Sequence, residues 1–221
     1  MNAPLTTRLI QACRWSAALV MGVGYAMLSH RASASPAPDL LDALVTIIPL
    51  LGLALLMAWR SAQRKLMLSL CLLACAILFL ISGWLVAHYK WVFLLQHAGI
   101  YALLCLAFGR TLQGGKIPMV SQFAQIVHGI LSPALIRYTR AATWAWTFYF
   151  GGVTTLSLAL FWLAPVHIWS AFANLLNMPL LALMFAGEYA VRCYRLPAAD
   201  RAGPIEAIRA YRQASSNARS Q

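Results

Sequence analysis

The chain has 221 residues, of which 62% are hydrophobic and only 10% charged, with a formal net charge of +12. A water-soluble domain carries roughly 25% charged residues, so this composition excludes an ordinary soluble globule. Several apolar runs approach the ~20 residues that cross a bilayer as a helix. They are continuous rather than alternating, which argues against a transmembrane barrel. An all-α, polytopic helical membrane bundle is expected.

In chain order, six candidate membrane helices are read: Leu9–Ser29, Leu40–Trp59, Leu66–His88, Trp91–Phe108, Ala141–Ala164 and Ile168–Val191. At the first, Arg8 and Arg14 precede the apolar core and Ala32-Ser33-Ala34 resembles a small-residue cleavage site. A signal peptide is therefore an alternative to a retained helix there. Asp39 and Asp42 stand at the entrance of the second run, where acids suit a helix N-terminus. The third and fourth are separated by a short His88-Tyr89-Lys90 turn. Trp59, Trp84, Tyr89, Trp91, Trp144, Trp146, Trp162, Trp169 and Tyr189 lie near run ends, as an interfacial aromatic belt would place them.

With the N-terminus in the cytoplasm and six crossings, 15 of the 17 Lys and Arg residues fall on the cytoplasmic side, leaving only Arg31 and Lys90 outside. Positive-inside bias sets orientation, so both termini are expected in the cytoplasm. The expected organisation is a transmembrane domain over 1–195, containing a cytoplasmic loop at 109–140, and a basic, partly disordered tail at 196–221.

That loop is the least oily part of the membrane domain. Gly114-Gly115 breaks the fourth helix, and Pro118 suits the first turn of a new one because it has no amide hydrogen to lose. Met119, Val120, Phe123, Ala124, Ile126, Val127, Ile130 and Leu131 then follow the i, i+3, i+4, i+7 spacing of one helical face. Ser121, Gln122, Gln125 and His128 take the other face, and Gly129 with Pro133 ends the run. This predicts an amphipathic helix on the cytoplasmic membrane surface, flanked by cations suited to anionic headgroups. A second turn starting at Pro133 leads through Arg140 into the fifth membrane helix. Arg110, Lys116, Arg137 and Arg140 are the candidate contacts for lipids or an acidic partner.

Ionisable groups at membrane depth are costly and point to function. Glu188 near the end of the last helix has Arg192 one turn later, the spacing of a simple i, i+4 ion pair. His97, Asn174 and Asn177 are read as interhelical hydrogen-bonding residues, with Pro179 kinking the last helix. His128, Arg140 and Glu188 are the weak catalytic candidates, and an intramembrane enzyme or translocator would need them to converge on one cleft. No HExxH, HxxxxD, GxSxG or P-loop occurs. The five cysteines, Cys13, Cys71, Cys75, Cys105 and Cys193, form no CxxC and are odd in number, so neither a disulfide framework nor a zinc site is expected. No metal, no cofactor and no nucleic-acid partner is expected.

Several residues also carry a resemblance: Phe108-Gly109-Arg110-Thr111-Leu112, Pro118, Phe123-Ala124, His128, Pro133, Tyr138-Thr139-Arg140, Thr143-Trp144-Ala145-Trp146, Phe148, Phe150 and Glu188-Tyr189. In these the chain resembles the small bacterial inner-membrane proteins encoded in aryl-polyene and xanthomonadin-type pigment loci. The likeness is strongest from Phe108 to Phe150 and covers about half the chain. The family pattern often has an acid before the loop proline, where this chain has Ile117. The resemblance implies an accessory role in making, moving or anchoring polyene or fatty-acyl products, beside an acidic acyl carrier protein and other biosynthetic enzymes. It supplies no catalytic residue. A purely structural subunit is a further alternative.

Overall fold

The structure, a computed structural model, describes residues 5–35 and 40–197. Every regular element among them is helical: α1 (Leu5–Ala34), α2 (Leu40–Arg60), α3 (Arg64–Leu80), α4 (Ser82–Ala87), α5 (Tyr89–Thr111), α6 (Met119–His128), α7 (Pro133–Leu163), α8 (Val166–Ser170), a π-helical stretch (Ala171–Leu176) and α9 (Asn177–Arg195). The expected basic tail from residue 198 onward and Asp39 lie outside the described residues.

Three helical segments among the described residues are long and apolar enough to cross a membrane: Lys90–Thr111, Pro133–Leu163 and Val166–Arg195. The other three expected runs are helical as well. In α1 the apolar stretch is bounded by Arg14 and His30. Helix α2 has 21 residues with Pro49 inside it. The third run is broken at Ile81, dividing it into α3, with 17 residues, and α4, with 6. Ser82-Gly83 follows the break directly, a pairing that commonly accompanies helix kinks. At 1.5 Å per residue, α3 alone spans about 25 Å, less than a bilayer core of roughly 30 Å.

The chain forms two compact units, one of residues 1–96 and 159–177 and the other of residues 97–158 and 178–221. In the first, α2 packs on α1 and α3, and α1 also packs on α8 and the π-helical stretch. A polar knot joins α1 to these last two elements. The Ser33 and Ser170 hydroxyl oxygens lie 2.6 Å apart, His30 Nδ1 is 2.7 Å from Ser170 Oγ, and Asn174 Nδ2 donates to Ser33 Oγ at 3.0 Å. Ser33 and Ser170 are wholly buried, so these bonds replace lost solvation for groups that would otherwise be costly to bury. Asn174 thus makes the interhelical bond expected of it. The Ala32-Ser33-Ala34 stretch is helical, with Ala32 and Ser33 buried.

The second unit is built on close helix contact. A Cβ at Gly151 would lie 3.3 Å from Cys105 Sγ, and one at Gly109 would lie 3.5 Å from Thr147 Cγ2. Small residues let α5 and α7 approach in this way. His97 Nδ1 lies 3.0 Å from Ser157 Oγ across the same pair of helices. Trp146 packs on Phe150 and Phe185, with Tyr101 and Phe108 also against Phe150. The belt reading is corrected at two tryptophans: Trp146 and Trp169 are core residues, only 6% and 1% exposed. Trp59, Trp84 and Trp162 are exposed.

Candidate functional site

All six sequence candidates, Arg110, Lys116, His128, Arg137, Arg140 and Glu188, belong to the second unit. The connector that carries most of them is more ordered than a loop. Helix α5 runs to Thr111 and α7 starts at Pro133, so Arg137 and Arg140 are on the first two turns of α7. The turn at Gly114 and Gly115 has φ of 61° and 71°, and Gly129 after α6 has φ of 69°. Those left-handed values suit residues without a Cβ.

Helix α6 is held by three hydroxyls from its neighbours. The Met119 N–H donates to Thr111 Oγ1 at 2.9 Å, and the Val120 N–H donates to Thr143 Oγ1 at 3.1 Å. Both are first-turn amides with no partner inside the helix, and Pro118 at the N-cap offers no side-chain bond. Ser121 Oγ lies 2.6 Å from Thr139 Oγ1. Thr139 and Thr143 donate to the carbonyls of Leu135 and Thr139, each at 2.8 Å, leaving their lone pairs for α6. Ser121, expected on the outward polar face, is therefore buried at 2% exposure. Phe123 and Ile126 of α6 are exposed, as is Ile130 just beyond it.

These bonds gather the cations at one end of the unit. Arg110 precedes Thr111, Arg140 follows Thr139, and Lys116 lies in the turn that leads into α6. Arg110, Lys116, Arg137 and Arg140 are all exposed. The one ion pair found among the described residues joins Glu188 and Arg192, so none of these four cations is paired with a described carboxylate.

Beside them, α7 and α9 border a partly open cleft of about 910 Å³. Its α7 wall is Ala134, Arg137, Tyr138, Ala141, Ala142, Ala145 and Tyr149. Its α9 wall is Leu180, Leu183, Met184, Gly187, Glu188, Val191 and Arg195, with Leu196 beyond. Each set follows the three-and-four spacing of a single helical face. Where the two faces would otherwise meet, the residues are alanine and glycine, which leaves space between the helices. Arg137 and Arg195 lie at the end of the cleft that also holds Glu188.

Glu188 is fully engaged. Its Oε1 accepts from Tyr138 Oη at 2.6 Å and from Arg192 Nη2 at 2.8 Å, and its Oε2 accepts from Arg192 Nη2 at 2.9 Å. Arg192 Nε also donates to Oε1 at 3.2 Å. The i, i+4 pair expected from the sequence is present, and Tyr138 extends it to α7. A carboxylate whose oxygens already accept this many bonds suits a brace between helices better than a general base. His128 is half-buried at the end of α6 and Arg140 is exposed, and neither lines the cleft. Only Glu188 of the three catalytic candidates does, together with Arg137 from the binding set.

Sequence reading missed Tyr138 and Arg195 as site residues, and missed the threonines that hold α6. Tyr138 shares the spacing of Ala134, Ala141, Ala145 and Tyr149, so its face was available as a signal; its partner 50 residues away was not. Among the described residues no three His, Cys, Asp or Glu side chains gather as a metal site. No family model matches the chain, and no curated protein and no solved structure matches it.

Proposed function

We propose that this chain is an accessory protein of an acyl-carrier-protein-dependent system that makes polyene or fatty-acyl products, seated in the bacterial inner membrane. In this reading six helices cross the bilayer with both termini in the cytoplasm. The cationic end of the second unit docks the acidic carrier protein, and acyl product passes to the membrane beside it. The observation that supports this most is the group of four exposed cations, Arg110, Lys116, Arg137 and Arg140, carried on segments tied together by the hydroxyl bonds of α6 and unpaired among the described residues. Such a patch raises the rate of encounter with acidic partners through its long-range field.

An enzyme or translocator built on His128, Arg140 and Glu188 finds less support, because only Glu188 lines the cleft and its carboxylate is already saturated. Docking is tested by pulling down a bacterial acyl carrier protein with the detergent-solubilised protein. Capture is expected to fall steeply between low salt and 0.5 M salt, because exposed charges are screened within a Debye length of roughly 10 Å at 0.1 M. Glu substitutions at Arg110, Lys116 and Arg140 together are expected to abolish it. Capture that ignores both salt and charge reversal overturns the proposal.

A further inference from the structure

The cleft between α7 and α9 has a polarity that the docking function does not require. Its walls are apolar along most of their length, and its charged groups are confined to one end. Glu188 is neutralised by Arg192, so Arg137 and Arg195 leave that end with an excess positive charge. From Arg137 to Tyr149 the α7 wall runs about 18 Å at the helical rise of 1.5 Å per residue. A volume of 910 Å³ stands near the top of the roughly 300–1,000 Å³ range that encloses one small ligand. A small soluble anion would leave the apolar length of the cleft unfilled. A phospholipid would bring a second chain and a bulkier headgroup.

We propose that this cleft binds a single-chain anionic amphiphile, a fatty or polyene carboxylate, with its headgroup on Arg137 and Arg195 and its chain along Ala141, Ala145 and Leu183. The arginine fork matches a carboxylate with two parallel hydrogen bonds. Alanine at 141 and 145 leaves the width that a methylene or polyene chain occupies. The inference rests on the proposed function for the origin of such a ligand, since an acyl product released from its carrier has this chemistry. Its geometry stands independently of carrier docking.

The test uses the full chain in phosphatidylcholine nanodiscs with cis-parinaric acid, a fluorescent polyene carboxylate, read by energy transfer from tryptophan. Saturable transfer above that of empty nanodiscs carrying a tryptophan peptide is expected. Palmitate should displace the probe, while hexadecanol, inorganic phosphate and dioleoyl phosphatidic acid at the same concentration should not. Arg137→Gln with Arg195→Gln should weaken binding at least 10-fold. Ala145→Trp should fill the cleft and abolish saturable transfer while leaving the melting temperature unchanged. Displacement by phosphate would make this a soluble-anion site, and displacement by phosphatidic acid a phospholipid site; either overturns the proposal. So does transfer that is not saturable, or that survives Ala145→Trp in a folded protein. Carrier capture is read through Arg110, Lys116 and Arg140, none of which lines the cleft, so each proposal can fail without the other.

Discussion

At the scale of single residues, the Tyr138–Glu188–Arg192 cluster ties the two walls of the cleft together. Glu188 is 9% exposed at its side chain and Arg192 24%, so the pair is shielded on one side only. Removing Tyr138 Oη by Tyr138→Phe deletes one neutral donor, and a hydrogen bond between membrane helices averages about 0.6 kcal/mol. Glu188→Gln removes the countercharge of a guanidinium that makes three contacts to the carboxylate, and hydrogen bonds to charged groups contribute roughly 1.5–3 kcal/mol. The Gln variant is therefore expected to lower the melting temperature in detergent roughly two- to five-fold more than the Phe variant. Equal shifts would show that Tyr138, not the ion pair, is the brace. The i, i+4 half of this cluster was legible because both members share one helix. The Tyr138 contact was not, since nothing local specifies which face of α7 meets which face of α9. Ser121 illustrates the same limit: a serine on a polar stripe reads as solvated until Thr139 is found 2.6 Å away.

At the scale of elements, α6 is the clearest case of local sequence and tertiary contact acting together. Its start after Pro118 and its end at Gly129 follow from proline and glycine chemistry and could be read directly. Its attachment could not, because the caps come from Thr111 and Thr143 on other helices. Thr143→Val keeps the shape of a wholly buried side chain and removes the acceptor for the Val120 N–H. Losing an N-cap acceptor costs about 1 kcal/mol, which corresponds to roughly 5-fold faster amide exchange over the first turn of α6. Thr155→Val is the control, since Thr155 is exposed and its hydroxyl bonds the Gly151 carbonyl of its own helix. Exchange in α6 that responds equally to both variants would remove the threonine bonds from the account. The break at Ile81 had a sequence signal in Ser82-Gly83, but the unbroken hydrophobicity around it masked a change that alters only backbone geometry.

At the scale of the whole molecule, hydropathy and charge report different things. Among the described residues, hydropathy and length single out α5, α7 and the last helix, whereas the positive-inside reading of the Lys and Arg residues calls for six crossings. The turn between α2 and α3 separates the two topologies. Arg60, Arg64 and Lys65 cluster there, and the Arg64 guanidinium lies 3.3 Å over the ring of Trp59, an arrangement suited to an interface where an amphipathic ring meets cationic side chains. If only the last three helices crossed, this turn would share a side with Lys90, against the bias that retains arginine in the cytoplasm. If all six cross, Ser61 and Gln113 share the cytoplasm and Lys90 faces the periplasm. Paired reporter insertions at Ser61, Lys90 and Gln113 are expected to read cytoplasm, periplasm and cytoplasm. A periplasmic reading at Ser61 with a cytoplasmic one at Gln113 would reduce the bundle to three crossings and leave α1 to α4 on the outer side. A periplasmic reading at Gln113 would invert the molecule. Arg110, Lys116 and Arg140 would then face a compartment that holds no acyl carrier protein, and docking could not occur.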